Sequence, residues 1–321
     1  MKRFLSIALI TAMTMYLFTG CVQKTNDTSK TTSKIKIGVC ISDINVIFSS
    51  YLLDEMKNYS KTLKDVEVVY ADSKHDTNIE LAQVEDFISQ RVDVIVVQPV
   101  DTDSSKPVTD KAKAAKIPII SVSTPFTNQN DAACYISSDS KQSGILEMEY
   151  LAKKMNFKGN VAIMMGTMGQ EQQRLRTQGF HEVIAKYPDM KIVAEQTAEW
   201  DKAKGMALME NWLKSGKEID IVASNNDEMA IGALIAIEAA GKLGKITVGG
   251  IHAIPEALDY LKSGKLAVTV FQDVKAQGQC AIETAVKVAR GEKVEKIVNF
   301  SNELVAPEDA DKYIAEWKKI K

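Results

Sequence analysis

Histidine and cysteine are scarce in this 321-residue chain, and their scarcity sets the first limits on its chemistry. His75, His181 and His252 are the only histidines, and no two of them stand at metal-binding spacing. Of the four cysteines, Cys21 sits beside the N-terminal apolar segment, which leaves Cys40, Cys134 and Cys280 as an odd, widely spaced set. That spacing indicates neither a zinc site nor a disulfide framework, and buried free thiols fit the burial habit of cysteine. Walker-type phosphate loops and nucleophile elbows are absent, and Asp101-Thr102-Asp103 does not make an EF-hand loop. An enzyme of the aldolase or dehydrogenase kind therefore lacks its machinery, and no cofactor or metal is expected. Excess charge is missing too: 40 Lys and Arg against 42 Asp and Glu give a net charge of −2 with no basic stripe, which argues against nucleic-acid binding. Beyond the N-terminus no apolar run reaches the roughly 20 residues of a membrane span.

What is present begins with a leader. Lys2 and Arg3 precede an apolar run from Phe4 to Phe18, and Thr19-Gly20-Cys21 closes it with small residues. Charge, greasy segment and small residues make a secretory signal. Ending on Gly-Cys, it resembles a bacterial lipoprotein signal, in which residues 1–20 are removed and Cys21 carries the lipid; Phe18 departs mildly from the usual Leu. The alternative, an uncleaved anchor, is short for a span. Residues 21–33 are rich in Thr, Ser and Lys without periodicity, and read as a flexible tether.

From Lys34 onward short Val/Ile-rich runs alternate with helical patterns. Strands are expected at 35–41, 66–71, 93–98, 117–122, 161–165, 191–196, 219–223, 246–250 and 267–271. Near-continuous apolar strands with helical crossovers predict parallel sheets covered on both faces, hence an α/β fold. The number of units on either side of Ser138 points to two similar lobes, with the boundary in Ser137-Ser138-Asp139-Ser140. Within Ile219–Ala239 a buried strand gives way, through Ser224-Asn225-Asn226-Asp227, to a helix with an acid at its N-terminus. The amides of Asn225 and Asn226 thus stand at the carboxyl end of a strand, where ligands bind in open α/β sheets. In the plainer alternative they only shape the turn and cap the helix.

Asn45, Phe48, Ser123, Thr124, Arg176, Trp200, Asn226, His252 and Gln272 all fall at or just after predicted strand ends. Around them stand VIVVQPVDTDS (94–104), AKIPIISVSTP (115–125), QRLRTQGF (173–180), SNNDEMAIGAL (224–234), TVGGIHAIPEAL (247–258), SGKLAVTVFQD (263–273) and ARGEKV (289–294). In this order the segments resemble the bacterial periplasmic sugar-binding proteins of the ribose, galactose and inositol type, over essentially the whole chain from Ile35 to about Val305. The resemblance implies two doubly wound parallel-sheet lobes, 35–138 plus 273–300 and 139–272 plus 301–321, joined by crossings near Ser138, Gln272 and Ser301. It also implies a monomer that closes on a monosaccharide or cyclic polyol and delivers it to ABC permease subunits. Such a protein works outside the cytoplasm, here held to the membrane through lipidated Cys21. A sensor presenting its closed form to a chemoreceptor or histidine kinase is the alternative output. A transcriptional regulator of similar fold would need a DNA-binding headpiece where the signal and tether stand.

By the same resemblance, Phe48 and Trp200 sandwich the ligand ring, Arg176 spans two neighbouring oxygens, and Asn45, Asn226 and Gln272 pair with hydroxyls. Core packing is the plainer alternative for the two aromatics, and a solvated charge is the reading for Arg174. Two positions depart from the ribose-type pattern. Ser123-Thr124 replaces an acidic–basic pair, and His252 replaces an Asp. Arg176 then needs a counter-charge: Asp101, Asp273 or Glu171 if the ligand is neutral, or the ligand itself if it is a sugar acid. For His252 a satisfied loop imidazole and a ligand contact both remain open.

Overall fold

A computed structural model describes residues 34–318, so the signal, Cys21 and the tether lie outside the described residues. Twelve strands and ten α-helices follow one another along them. The first group is β1 (Ile35–Ile41), α1 (Ile47–Ser60), β2 (Val66–Asp72), α2 (Thr77–Ser89), β3 (Val94–Val97), α3 (Lys106–Ala115), β4 (Ile119–Val122) and β5 (Cys134–Ser138). The second is α4 (Ser140–Lys154), β6 (Gly159–Met165), α5 (Glu171–Ile184), β7 (Met190–Thr197), α6 (Lys202–Lys214), β8 (Ile221–Ser224), α7 (Asp227–Ala239), β9 (Thr247–Gly249), α8 (Pro255–Lys262) and β10 (Thr269–Gln272). Then α9 (Val274–Ala289), β11 (Ile297–Phe300), β12 (Asn302–Val305) and α10 (Ala310–Lys318) close the fold. None of the helices among the described residues is long and apolar enough to cross a membrane.

Two parallel sheets result. The first runs β11-β5-β4-β3-β1-β2, with Ile37 opposite Val94, Ile95 opposite Ile119 and Tyr135 opposite Ile297. The second runs β7-β6-β8-β9, and bridges at Gly249–Val268 and His252–Phe271 continue it to β10, which pairs antiparallel with β12. The chain passes between the sheets three times: after Ser138, after Gln272 and at Ser301. Every residue of β3 and β8 is buried, because helices cover both faces of each sheet, and such strands read as unbroken apolar runs.

The nine expected strands are present within a few residues of their predicted limits. Strands β5, β11 and β12 and helices α1 and α10 add to the pattern. β5 ends in two serines, and β11 is an edge strand with alternating exposure whose Ile297 is 56% exposed, so neither carries a continuous apolar signal. At two crossings an aspartate starts the next helix. Asp139 accepts the Gln142 amide at the head of α4 (2.9 Å), and Asp273 accepts the Ala276 amide at the head of α9 (2.8 Å). The polar stretch at 137–140 is therefore a strand end followed at once by a helix cap.

Candidate functional site

The carboxyl ends of both sheets face each other across a cleft. Its empty space, open solvent at the mouth included, is about 600 Å³, and pockets of roughly 300–1,000 Å³ suit small molecules. Loops from the two sheets touch across it. Gln170, just before α5, donates from Nε2 to the Val100 carbonyl (2.8 Å), and Gln172 donates to the Ser123 carbonyl (2.8 Å) and to Thr124 Oγ1 (2.6 Å).

Arg176 on α5 is the centre of the wall on the second sheet's side. It is 4% exposed, and Nη1 donates to the Asn225 carbonyl (2.7 Å) and to His252 Nε2 (3.1 Å), while Nη2 donates to Gln272 Oε1 (3.0 Å). Burial lowers its pKa to about 10, against the opposing pull of Glu147, Glu228 and Asp227, so it stays charged at neutral pH. Its nearby acids are these three buried side chains, which oppose its charge to the extent that they ionise. The aspartates and glutamate expected from sequence are engaged elsewhere: Asp101 accepts the Asp103 amide (2.6 Å), Asp273 caps α9, and Glu171 lies 3.6 Å from Arg174. The Arg174 side chain itself is 66% exposed.

Burial pushes Asp227 and Glu228 up to about 7, and Glu147 well above the usual carboxylate range. Asp227 is held by the Thr269 hydroxyl (2.7 Å) and the Ile254 amide (3.0 Å). Gly250 is needed beside it, since a Cβ there would lie 2.3 Å from the carboxylate. His252 is driven the other way, first by burial and then by the Arg176 charge, and is neutral. Because the guanidinium can only donate, Nε2 accepts and Nδ1 carries the proton, facing Glu228 Oε2 at 3.8 Å. His252 thus adds no second positive charge beside Arg176.

The two aromatics take different surroundings. Trp200 donates from Nε1 to Gln170 Oε1 (2.6 Å), and its ring lies 5.6 Å from the Arg176 guanidinium. Gly166 makes room for it: a Cβ there would sit 2.1 Å from the indole. Phe48, in the first turn of α1, stacks on His252 across the cleft, with centroids 4.6 Å apart at 28°. Ser123, Trp200 and His252 all hold positive φ, at 61°, 64° and 119°. Backbone of this kind costs about 1–3 kcal/mol per residue and gathers at ligand clamps.

Of the nine residues expected at the site, Phe48, Ser123, Thr124, Arg176, Trp200, His252 and Gln272 line the cavity. Asn226 does not. Its Oδ1 accepts the Met229 amide at the head of α7 (3.0 Å) and its Nδ2 donates to the Trp200 carbonyl (3.1 Å), so the turn's own demand for a cap consumes the side chain. Asn45 stands exposed at the cleft mouth, its Nδ2 donating to Asp43 Oδ1 (2.9 Å). Gln272 is engaged at both ends, holding Arg176 by its oxygen and Asn302 Oδ1 by its nitrogen (3.1 Å).

Among the lining residues that sequence reasoning missed are three glutamines, Gln98, Gln172 and Gln277. They share one property with Ser123, Arg176 and His252. Each of the six carries a buried polar atom with no hydrogen-bond partner: Gln98 Oε1, Ser123 Oγ, Gln172 Oε1, Arg176 Nε, His252 Nδ1 and Gln277 Nε2. Buried polar atoms are ordinarily paired; His252 Nδ1 faces Glu228, and the other five form a ready set of donors and acceptors around the cavity.

The model of the periplasmic binding protein domain matches residues 37–293. The chain belongs to the periplasmic binding protein family. It is 37% identical to a putative rhizopine-binding protein of Rhizobium meliloti, over 84% of this chain and 89% of that one. A xylitol-binding protein of Mycolicibacterium smegmatis is 33% identical, over 84% and 76% of the two chains. Among solved structures, an ABC transporter solute-binding protein from Bacillus halodurans with bound myo-inositol superposes with a TM-score of 0.86 at 44% identity, covering 88% of this chain and 99% of that one. The fold is that of type I periplasmic binding proteins, and these relatives are named as binding proteins rather than enzymes.

Proposed function

We propose that this binding protein captures a neutral cyclic polyol, an inositol or a monosaccharide, between its lobes and presents it to an ABC permease. Five unpartnered polar atoms on residues lining one cavity carry this reading. Two accept, two donate and Ser123 Oγ does both, which matches a rim of hydroxyls that each donate and accept. Neutrality is favoured because Asp227 and Glu228, partly ionised at neutral pH, oppose the Arg176 charge from within the protein. The myo-inositol held by the 44% identical structure supports a ring of this class. Attachment to the outer face of the membrane through Cys21 belongs to the same proposal, and so do the two lobes 35–138 plus 273–300 and 139–272 plus 301–321, closing about the three crossings.

Calorimetry of the 34–321 domain against myo-inositol, ribose, allose, xylitol and glucuronic acid tests the ligand class. We expect one-to-one binding of a neutral ring and no response to the acid; tight binding of the acid alone refutes neutrality, and silence toward every polyol refutes the class. Comparing membrane fractions of the full chain with those of Cys21→Ala tests the anchor, which fails if both fractionate alike.

A further inference from the structure

The chain places a glutamine on each side of its second crossing, and only one of them is wired into the protein. Gln272, at the end of β10, is held at both ends by Arg176 and Asn302. Five residues on, Gln277 closes the first turn of α9 in the other lobe, its backbone amide donating to the Asp273 carbonyl (3.1 Å). Its side chain is 1% exposed, lines the cavity, and has no partner for Nε2.

The backbone there has little freedom to carry the amide elsewhere. The next residue, Gly278, presses α9 against α1 so closely that a Cβ would lie 2.8 Å from the Glu55 Cβ and 3.0 Å from the Leu52 carbonyl oxygen. Asp273 fixes the start of the helix by its cap. Position 277 is thus set by helix packing, and the group it presents is a primary amide in a site where Leu or Met would pack without leaving a donor unpaired. An unpaired buried donor is unfavourable in the empty protein unless something completes it.

We infer that Gln277 is a specificity-determining residue that donates to a ligand hydroxyl from the first lobe. Gln172 complements it from the second lobe: its nitrogen is spent on Ser123 and Thr124, and its Oε1, also unpartnered, is left to accept. A ring meeting both amides as well as Arg176 carries hydroxyls around its whole rim, so a fully hydroxylated six-membered ring is preferred over one lacking a hydroxyl at the Gln277 position. The inference rests on the polyol reading above.

The test compares the parent domain with Gln277→Met and Gln277→Glu, using myo-inositol and a set of monodeoxy-inositols. Gln277→Met should bind myo-inositol about tenfold more weakly, the loss of one hydrogen bond. It should also lose the parent's preference against one particular deoxy-inositol, while its unliganded melting temperature is unchanged or raised. Gln277→Glu, which keeps the shape and removes the donor, should weaken binding at least as much. Equal affinities in parent and Gln277→Met, or a lowered unliganded melting temperature with an unaltered deoxy-inositol profile, overturn the inference and leave the polyol reading standing. A parent that binds no inositol or sugar overturns both.

Discussion

The two walls of the cleft are built differently. On the second lobe Arg176 is tied to Asn225, His252 and Gln272, and Trp200 is tied to Gln170 and Asn226. Gln98, Ser123 and Gln277, on the first sheet's side, each carry a polar atom that nothing in the protein completes, and so do Gln172 and Arg176 on the second. The cross-ties hold the geometry of the second wall, and the unpaired atoms on both sides have everything to gain when they meet a ligand. In the proposed hinge closure, a ligand seated on the wall around Arg176 favours the closed arrangement through contacts made only there, which is the differential affinity that closure requires.

The largest effect should come from cutting the wired wall at its centre. Arg176→Ala removes three hydrogen bonds and leaves Glu147, Asp227 and Glu228 without their cation, and truncating one partner of a buried charge pair costs about 2–5 kcal/mol. We expect binding to fall at least a hundredfold and the unliganded melting temperature to drop as well. A loss of affinity with no loss of stability would show that the wall does not depend on its own wiring.

A middle-sized effect concerns protons. Asp227 and Glu228 have folded pKa values raised to about 7 by burial, so the folded chain holds protons that the unfolded chain releases near pH 4. Stability is then greatest below that range and is lost as pH rises through 7, by about 1 kcal/mol for each group between pH 6 and 8. His252 acts oppositely, since its depressed pKa costs stability only as pH falls below the ordinary histidine value. Thermal unfolding of the 34–321 domain should give a higher midpoint at pH 6 than at pH 8, and Asp227→Asn should flatten the difference. A midpoint that climbs toward pH 8 would contradict the burial of these acids.

The smallest effect belongs to Asn226. Replacing this cap by Ala should cost about 1 kcal/mol of stability. Affinity should change less than threefold, because the side chain steadies Trp200 through its carbonyl and does not reach the cavity. A tenfold loss of affinity measured by calorimetry would return Asn226 to the ligand.

These contrasts also explain what could be read from sequence. β3 and β8 announce themselves, since burial on both faces leaves only Val, Ile, Ala and a terminal Ser. Arg176, Trp200 and His252 were found because they follow strand ends in segments similar to a known family. Gln277 was not, for a glutamine in the first turn of a helix looks the same whether it faces water or a cavity, and only the helix's rotation against α1 decides. Asn226 shows the converse: the motif was legible, but whether its amide serves a ligand or a cap depends on where the Met229 amide points. The counter-charges of Arg176 were misplaced for a similar reason. Nearby loops looked closest along the chain, while Glu147 arrives from α4, a separate helix packed behind the sheet.

The return of the chain to its first sheet has a consequence for how the molecule assembles. β11 pairs with β5 through Ile297 and Tyr135, partners 162 positions apart, whereas the sheet β7-β6-β8-β9 draws on residues 159–249 alone. Contacts so distant in sequence form late, because a long loop must close before they contribute. As the polypeptide emerges from its N-terminus, the β5 edge waits for β11 at 297–300 and the second sheet's extension waits for β12 at 302–305, so both sheets are completed only by the last strands of the chain.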